Sequence, residues 1–493
     1  VTKPELLLSS SYPKKADAYV LLVTQKQEIF RKESLSRAPE WLDSVLDANS
    51  NNDSPEVFAN VAWPSGPKHL IVLQLDREGR YALGEVVKTA SAQALSHARS
   101  LGCASIAFLL DGKDADDFVP WVAEGIRLGS YEFSRYRSPS QRKSTVNRVI
   151  LAVRKEGISH LRRRLSEIEI VAQAQNFARD LVNEPPSVLG PRALCKQAQS
   201  VAREFGLRCR LLGKSELKRL GYHGILAVGQ GADEEPCLIE LHYAPKQRSR
   251  HRVAFVGKAV MFDTGGYCIK PAKDMWRMKG DMAGGAAVLA AMKAIAQLHP
   301  NAEVYGLIPC AKNLVSAHAF LPGDVIRTRI GKTVHVGNTD AEGRLLLMDA
   351  FIHAGDKKVT YLVDIATLTG SVVRALGPSV SGIFGNDQEW VQALIGAGQR
   401  VGEDFWQLPL VEEYRDYLKN HVADLDNVGN KPDAGAIVAA LFLREFVPDG
   451  VKWAHLDIAG PFLVERQWKY YGPGATGFGV RTLVELLRRL PEK

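Results

Sequence analysis

Residues 256–282 read VGKAVMFDTGGYCIKPAKDMWRMKGDM, and this stretch decides the fold. Lys258, Asp263, Lys270 and Asp281 stand there among glycines, between an apolar run that ends at Val256 and another that follows Gly284. The run 253–256 is short and β-rich, whereas 284–298 carries small and apolar residues over a helical length. A strand, a charged glycine-rich turn and a helix form the repeating unit of an α/β sheet. A second short segment, 338–344 (NTDAEGR), adds Asp340, Glu342 and Arg344 at the start of another helical pattern, 341–354. The two segments are expected to meet in space and to hold a pair of divalent metal ions.

Outward from these segments the alternation continues. Residues 237–243, 304–308, 333–336 and 361–365 are further strand candidates, and 390–399 is a helix candidate. Strands alternating with helices predict a mostly parallel central sheet covered on both faces. Ligands bind such sheets beyond the carboxyl ends of the strands. Lys258 and Asp263 follow one strand candidate, and Asp340 and Glu342 follow another.

Towards the N-terminus the chain begins a second, smaller α/β pattern. Strand candidates at 18–23, 69–75, 105–110 and 148–153 enclose a helical stretch at 81–101. The polar run 135–147 reads as an exposed loop, and no catalytic motif appears. Residues 158–182 have helical periodicity, and Asn183-Glu184-Pro185-Pro186 ends it because proline disfavours helix at the preceding residue. The expected organisation is an N-terminal α/β domain at 1–157, a connecting helix and proline break at 158–186, and a larger catalytic α/β domain at 187–493. A length of 493 residues suits two domains.

Composition narrows the class. Hydrophobic and charged fractions of 46% and 24% are those of a soluble globular protein. No apolar run nears the ~18 residues of a membrane helix, and the densest spans only 434–443. The first residues, VTKPELLLSSSYPKK, lack the basic start and apolar block of a signal peptide, so cytoplasmic residence without a membrane partner is the expectation. Six scattered cysteines without a CxxC argue against a disulfide framework and against a thiolate zinc site. Cys268 lies inside the opening stretch, where a buried filler is the commoner role than a reactive thiol. Of the net charge of +8, most comes from 151–250, with 17 basic against 11 acidic residues, including Arg162-Arg163-Arg164. DNA binding is one reading of that block; a solvated helix face with a basic loop is the favoured one.

Singly, each charge has a plain structural explanation: Asp340 and Glu342 suit a helix N-terminus, and Gly265-Gly266 suits a tight turn. Together they say more. Three aspartates and a glutamate offer oxygen ligands to hard divalent cations. No histidine lies in either segment and HExxH is absent. Four carboxylates gathered without cations would raise one another's pKa, with burial adding to the cost. Two bridged metals remove that cost and can activate a water while polarising a carbonyl. A lysine can ligate metal only as the neutral amine, while a second, protonated lysine can stabilise an oxyanion. Arg344 can hold a small anion that serves as general base.

These motifs carry a resemblance. VGKAVMFDTGGYCIKP, MKGDMAGGAAV and NTDAEGRL resemble the cytosolic leucyl aminopeptidase family of two-metal enzymes, the bacterial aminopeptidase A and aminopeptidase B type. The likeness runs from 178–186 (ARDLVNEPP) through 364–370 (DIATLTG) and 453–460 (WAHLDIAG) to 474–483 (GATGFGVRTL). It covers the C-terminal two-thirds in order, and the N-terminal part is similar to that family's macro-like α/β domain in general pattern. Ala259, Tyr267-Cys268 and Ala283 depart from the family's usual residues without altering a ligand.

The resemblance implies a metal-dependent aminopeptidase that releases leucine-like residues from peptides with a free N-terminus. Its cofactors would be two divalent ions per subunit, manganese or zinc, with bicarbonate. Asp263, Asp340 and Glu342 would hold one ion, and Lys258, Asp263, Asp281 and Glu342 the other. Lys270 matches the lysine that stabilises the tetrahedral intermediate, and Arg344 the arginine that holds bicarbonate as general base. Met278, Thr367, Ala459 and Phe462 match the lining of the first side-chain pocket, with Leu368 and Gly370 on the substrate backbone. A homohexamer is implied, and DNA binding is a secondary role of some bacterial relatives. An inactive structural paralogue is the alternative, and it predicts lost ligands, whereas all five positions are kept.

Overall fold

The structure is a computed structural model that describes residues 3–11, 13, 15–24, 27–28, 56–58, 68–75, 82–110, 117–141, 146–155, 158–247 and 249–490. The chain divides into two compact units, 1–173 with 465–473, and 174–464 with 474–493. The division falls inside the helix Ile158–Asn183, which stops at the expected proline break. Residue 157, where a domain boundary was expected, lies outside the described residues, as do Tyr81 and 142–145.

The smaller unit holds a seven-stranded sheet in the order Glu5–Ser9, Arg148–Val153, Ser105–Leu110, Ala18–Thr24, His69–Leu75, Glu56–Phe58, with Gln27–Glu28 paired to Ala18–Thr24. All four expected strands are present, and the first five strands in that order are parallel. The expected helix is Leu83–Ser100. It packs on Phe118–Gly129 so closely that a Cβ on Gly125 would stand 2.3 Å from the Lys88 carbonyl oxygen. Of the three-arginine cluster, Arg162 and Arg163 are exposed on the long helix and Arg164 is half-buried, a largely solvated face.

The larger unit is built on a nine-stranded sheet in the order Phe405–Gln407, Ser381–Gly385, Lys452–Asp457, Tyr361–Ala366, Arg252–Gly257, Glu303–Asn313, Cys237–Tyr243, Arg208–Leu212. Ala259–Asp263 pairs with the far end of Glu303–Asn313. The four central strands, from Lys452–Asp457 to Glu303–Asn313, are parallel, and antiparallel pairing is confined to their flanks. The expected mostly parallel sheet is therefore observed. The strand expected at 304–308 is longer, Glu303–Asn313, and this extension carries Asn313 to the sheet's carboxyl edge.

Helices Ala283–Leu298 and Gly343–Asp356 cover the sheet, both almost wholly buried. Ala283–Leu298, apolar on nearly all sides, needs protein around it, as this central position provides. Contact at the sheet edge depends on glycine. A Cβ on Gly284 would lie 2.0 Å from the Ile365 carbonyl oxygen, and one on Gly285 would lie 2.8 Å from the Ala259 Cβ. Ala259, fully buried, thus fits because Gly285 leaves it room. No helix among the described residues is long and apolar enough to cross a membrane.

Candidate metal centre

The centre forms where three parallel strands end. Lys258 follows Arg252–Gly257, Thr367 follows Tyr361–Ala366, and Asn313 closes Glu303–Asn313. The chain turns after Asp263 through Gly265 and Gly266, at φ values of 86° and 63° that favour glycine. That turn brings Lys270 back over Asp263. Asp281 ends the short helical turn Met275–Gly280, and Glu342 caps Gly343–Asp356.

Ligand oxygens of Asp263, Asp340 and Glu342 all lie within 4.8 Å of one another. Lys258 Nζ sits 2.8 Å from Asp281 Oδ1, 2.9 Å from Glu342 Oε1 and 3.0 Å from the Thr367 carbonyl oxygen. Lys270 Nζ is 2.8 Å from Asp263 Oδ2 and also pairs with Asp340. The five expected ligands and Lys270 thus form one cluster, with Lys258, Asp263, Asp281 and Glu342 buried. Asp263 Oδ1 accepts from the Gly265 amide at 2.9 Å and from Asn313 Nδ2 at 2.8 Å. Asp281 Oδ1 accepts from the Thr367 hydroxyl at 2.7 Å, while its Oδ2 is buried without a hydrogen-bond partner.

Charge explains the titration of these groups. Burial, then the Asp263 charge beside it, pushes the Asp340 carboxyl up to about 6. Burial leads the upward shifts of Asp281 and Glu342 as well, with neighbouring carboxylates adding to it. For Lys258 and Lys270 burial acts downward but is outweighed by the surrounding carboxylates, so both are raised. Four carboxylates face two ammonium groups, a local excess of two negative charges, and Asp281 Oδ2 is buried with neither a hydrogen bond nor an ion pair. That donor set fits divalent cations, whose charge removes the excess and whose coordination uses the free oxygen.

Arg344 is buried beside this cluster, and its Nη1 donates to the Asn427 carbonyl oxygen at 2.6 Å. Burial lowers its pKa to about 10, which leaves it cationic at neutral pH. A cavity of about 450 Å³ opens here, lined by Asp340, Arg344, Leu368, Gly370 and the turn 428–433 among others. Of the remaining expected residues, Thr367 and Phe462 are buried, and Met278 and Ala459 are half-buried. Gly280 admits the Phe462 ring, which a Cβ there would meet at 2.5 Å.

Sequence reading missed the residues that hold these in place. Asp457 accepts from the amides of Leu368 at 3.1 Å and Ala459 at 3.3 Å and from the Thr369 hydroxyl at 2.7 Å. Asn427 accepts from the amides of Gly337 and Asn338 and donates to the Asn338 carbonyl oxygen. A polar residue at the end of an otherwise apolar strand, such as Asn313 or Asp457, is the signal that would have found them.

A clustered oxygen-ligand site at the carboxyl edge of a mostly parallel sheet defines a metallohydrolase of the α/β class. The family model described as "Cytosol aminopeptidase family, catalytic domain" matches residues 176–484, and "Cytosol aminopeptidase family, N-terminal domain" matches 64–140. A "Probable cytosol aminopeptidase" of Aquifex aeolicus is 42% identical over 382 residues, 77% of this chain and 76% of that one. One of Rhodococcus erythropolis is 38% identical over 500 residues, covering 98% and 97% of the two chains. Among solved structures, "Bottromycin maturation enzyme BotP in complex with Mn" superposes with a TM-score of 0.84 at 33% identity, covering 96% of this chain and 99% of that one. The chain belongs to the cytosol aminopeptidase family and is a metal-dependent aminopeptidase.

Proposed function

We propose that this enzyme removes leucine-like residues from the N-terminus of peptides in the cytoplasm, using two divalent ions, manganese or zinc, and a bound bicarbonate. The observation that carries this reading is the convergence of Asp263, Asp340 and Glu342 within 4.8 Å, with Lys258, Asp281 and Lys270 in contact with them. Asp263, Asp340 and Glu342 would hold one ion, and Lys258, Asp263, Asp281 and Glu342 the other. When bound, such ions supply Lewis acidity to polarise the scissile carbonyl and to make a water acidic enough to attack it.

The chain's own residues do the rest. Lys258, which is ion-paired with Asp281 and Glu342, would hold an ion only as the neutral amine, a form that a nearby dication favours. Lys270 keeps its proton, and its ammonium, on a side chain that stays 20% exposed, donates to the oxyanion that develops on the carbonyl. The substrate's free α-amine would be held by the second ion and Asp281, which restricts cleavage to the amino end. The Arg344 guanidinium, desolvated and tied to the Asn427 carbonyl oxygen, orients bicarbonate for proton transfer. Met278, Thr367, Ala459 and Phe462 line the pocket for the released side chain, and Leu368 and Gly370 meet the substrate backbone. A homohexamer is the assembly that the family resemblance implies.

Hydrolysis of leucine-p-nitroanilide is the direct test, measured with added Mn2+ or Zn2+ before and after chelation, with Lys270→Ala and Asp340→Ala as controls. Metal-restored activity in the wild-type chain and its loss in both variants are expected. Absence of activity with every metal tried would overturn the reading. Light scattering on the purified chain tests the assembly, and a monomer alone would remove the hexamer.

A further inference from the structure

Sequence spacing separates Cys195, Cys237 and Cys310, yet the fold brings their sulfurs together. Cys195 lies on the helix Pro191–Phe205, Cys237 opens the strand Cys237–Tyr243, and Cys310 sits opposite Cys237 in the antiparallel register with Glu303–Asn313. The Cys195 and Cys237 Sγ atoms are 3.2 Å apart, closer than sulfurs in ordinary van der Waals contact, whereas the Cys310 thiol donates to the Ile308 carbonyl oxygen at 3.4 Å. All three are free thiols. Cys237 and Cys310 are buried, whereas Cys195 is half-buried and is the most exposed of the three.

We propose that Cys195 and Cys237 form a reversible intramolecular disulfide, a thiol-modification site separate from the metal centre. The oxidant is a small disulfide, R–S–S–R. Cys195 sulfur attacks one of its sulfurs, giving Cys195–S–S–R and one RSH. Cys237 sulfur then attacks Cys195 sulfur, forming the protein S–S bond and expelling the second RSH. The two thiol protons end on the two RSH molecules, and two electrons pass from the cysteine pair to the oxidant.

Forming the bond brings the sulfurs ~1.2 Å closer, to the ~2.0 Å of a disulfide. A half-buried side chain on a surface helix can make that movement. The hydrogen bond to Cys237, then burial, raise the Cys195 thiol, so the exchange is slow near neutral pH and quickens as pH rises. In a reducing compartment such a bond is transient. Once formed it ties the helix to the sheet across a sequence separation of 42 and constrains the unfolded chain.

The test treats the full-length, fully reduced protein with oxidised glutathione under native conditions, followed by intact mass and peptide mapping without reductant. The expected result is loss of two of the six thiols, a mass lower by about 2 Da, and a linked pair of peptides carrying Cys195 and Cys237. Dithiothreitol should reverse all three, and the oxidised form should melt at a higher temperature. Cys237→Ser should stop at a glutathione adduct on Cys195. Should that buried variant fail to fold, Cys195→Ser, at a half-exposed position away from the peptidase machinery, serves instead. It should keep unoxidised activity and lose the linked peptides, whereas Cys310→Ser should retain them. A native protein that keeps all six thiols, or that links any other pair, overturns the proposal.

Discussion

Lys258 and Lys270 carry the same charge in the same cluster, and what separates them is burial and partners. Lys258 is closed off, with Asp281, Glu342 and the Thr367 carbonyl oxygen around its nitrogen. Lys270 is partly open and contacts only the carboxylates of Asp263 and Asp340 among the charged groups. Arginine cannot lose its proton within a protein, so Lys258→Arg should expel one ion of the pair and abolish turnover. Lys270→Ala should retain both ions and lose about 10²–10³ in kcat, the usual cost of removing one oxyanion donor. Elemental analysis beside steady-state kinetics separates the two; an emptied site in Lys270→Ala would refute the assignment. Gly343 gives a sharper case. On helix propensity alone, Gly343→Ala should stabilise the helix by up to ~1 kcal/mol. A Cβ there would lie 2.6 Å from Lys258 Cε and Nζ, which three partners hold in place. Gly343→Ala should therefore cost at least about tenfold in kcat/KM and weaken metal binding, despite the helix gain. A fully active variant would show that Lys258 has room to move.

The helix Gly343–Asp356 also carries a buried acid that the reaction does not use. Asp349 accepts from the Ile225 amide at 2.9 Å, and burial, opposed by the amides of Ile225 and Gly224, pushes its carboxyl up to about 8. In the unfolded chain an aspartate titrates near ~3.9. Between these values the folded state holds a proton that the unfolded state has released. Stability from this group is therefore full below about pH 4 and is lost as pH rises towards about 8, by about 1.4 kcal/mol per pH unit. Asp349→Asn keeps an acceptor for the amide and removes the titration. The difference in stability between variant and wild type, measured by denaturant melts from pH 4 to 8, should move steadily in the variant's favour; parallel curves would count against it. Asp349 shows where sequence reading stops. The α/β alternation, the parallel sheet and the metal-binding segments are legible because hydrophobic period, glycine turns and charged motifs are local. The expected helix at 341–354 begins two residues late, at Gly343, and Glu342 at its N-cap position turns its carboxylate to Lys258 instead of to the helix amides. Asn427 and the Cys195–Cys237 contact were not legible, since each depends on which elements are neighbours in space.

For the whole catalytic unit, the metal centre is a concentration of strain that cations relieve. Asp263, Asp281, Asp340 and Glu342 meet from three places, the end of the strand Ala259–Asp263, the end of the turn Met275–Gly280 and the residues leading into Gly343–Asp356, and among the described residues two ammonium groups answer them. The upward shifts of Asp281, Asp340 and Glu342, led by burial, show folding working against this charge. An ion that binds the folded chain and not the unfolded one raises apparent stability by ~2.7 kcal/mol at a free concentration of 100 Kd. Thermal melts of the metal-stripped enzyme should therefore shift upward with the logarithm of Mn2+ concentration, and a chelator should reverse the shift. Asp263→Asn is the informative variant. It keeps an oxygen towards the Gly265 amide while removing a charge from the centre of the cluster, so its metal-free form should be at least as stable as the wild type. The Mn2+-dependent shift should shrink or vanish in it, together with activity. A metal-free Asp263→Asn protein that melted well below the metal-free wild type would mean that the carboxylate serves the fold itself, through Gly265 and Asn313, rather than the ions.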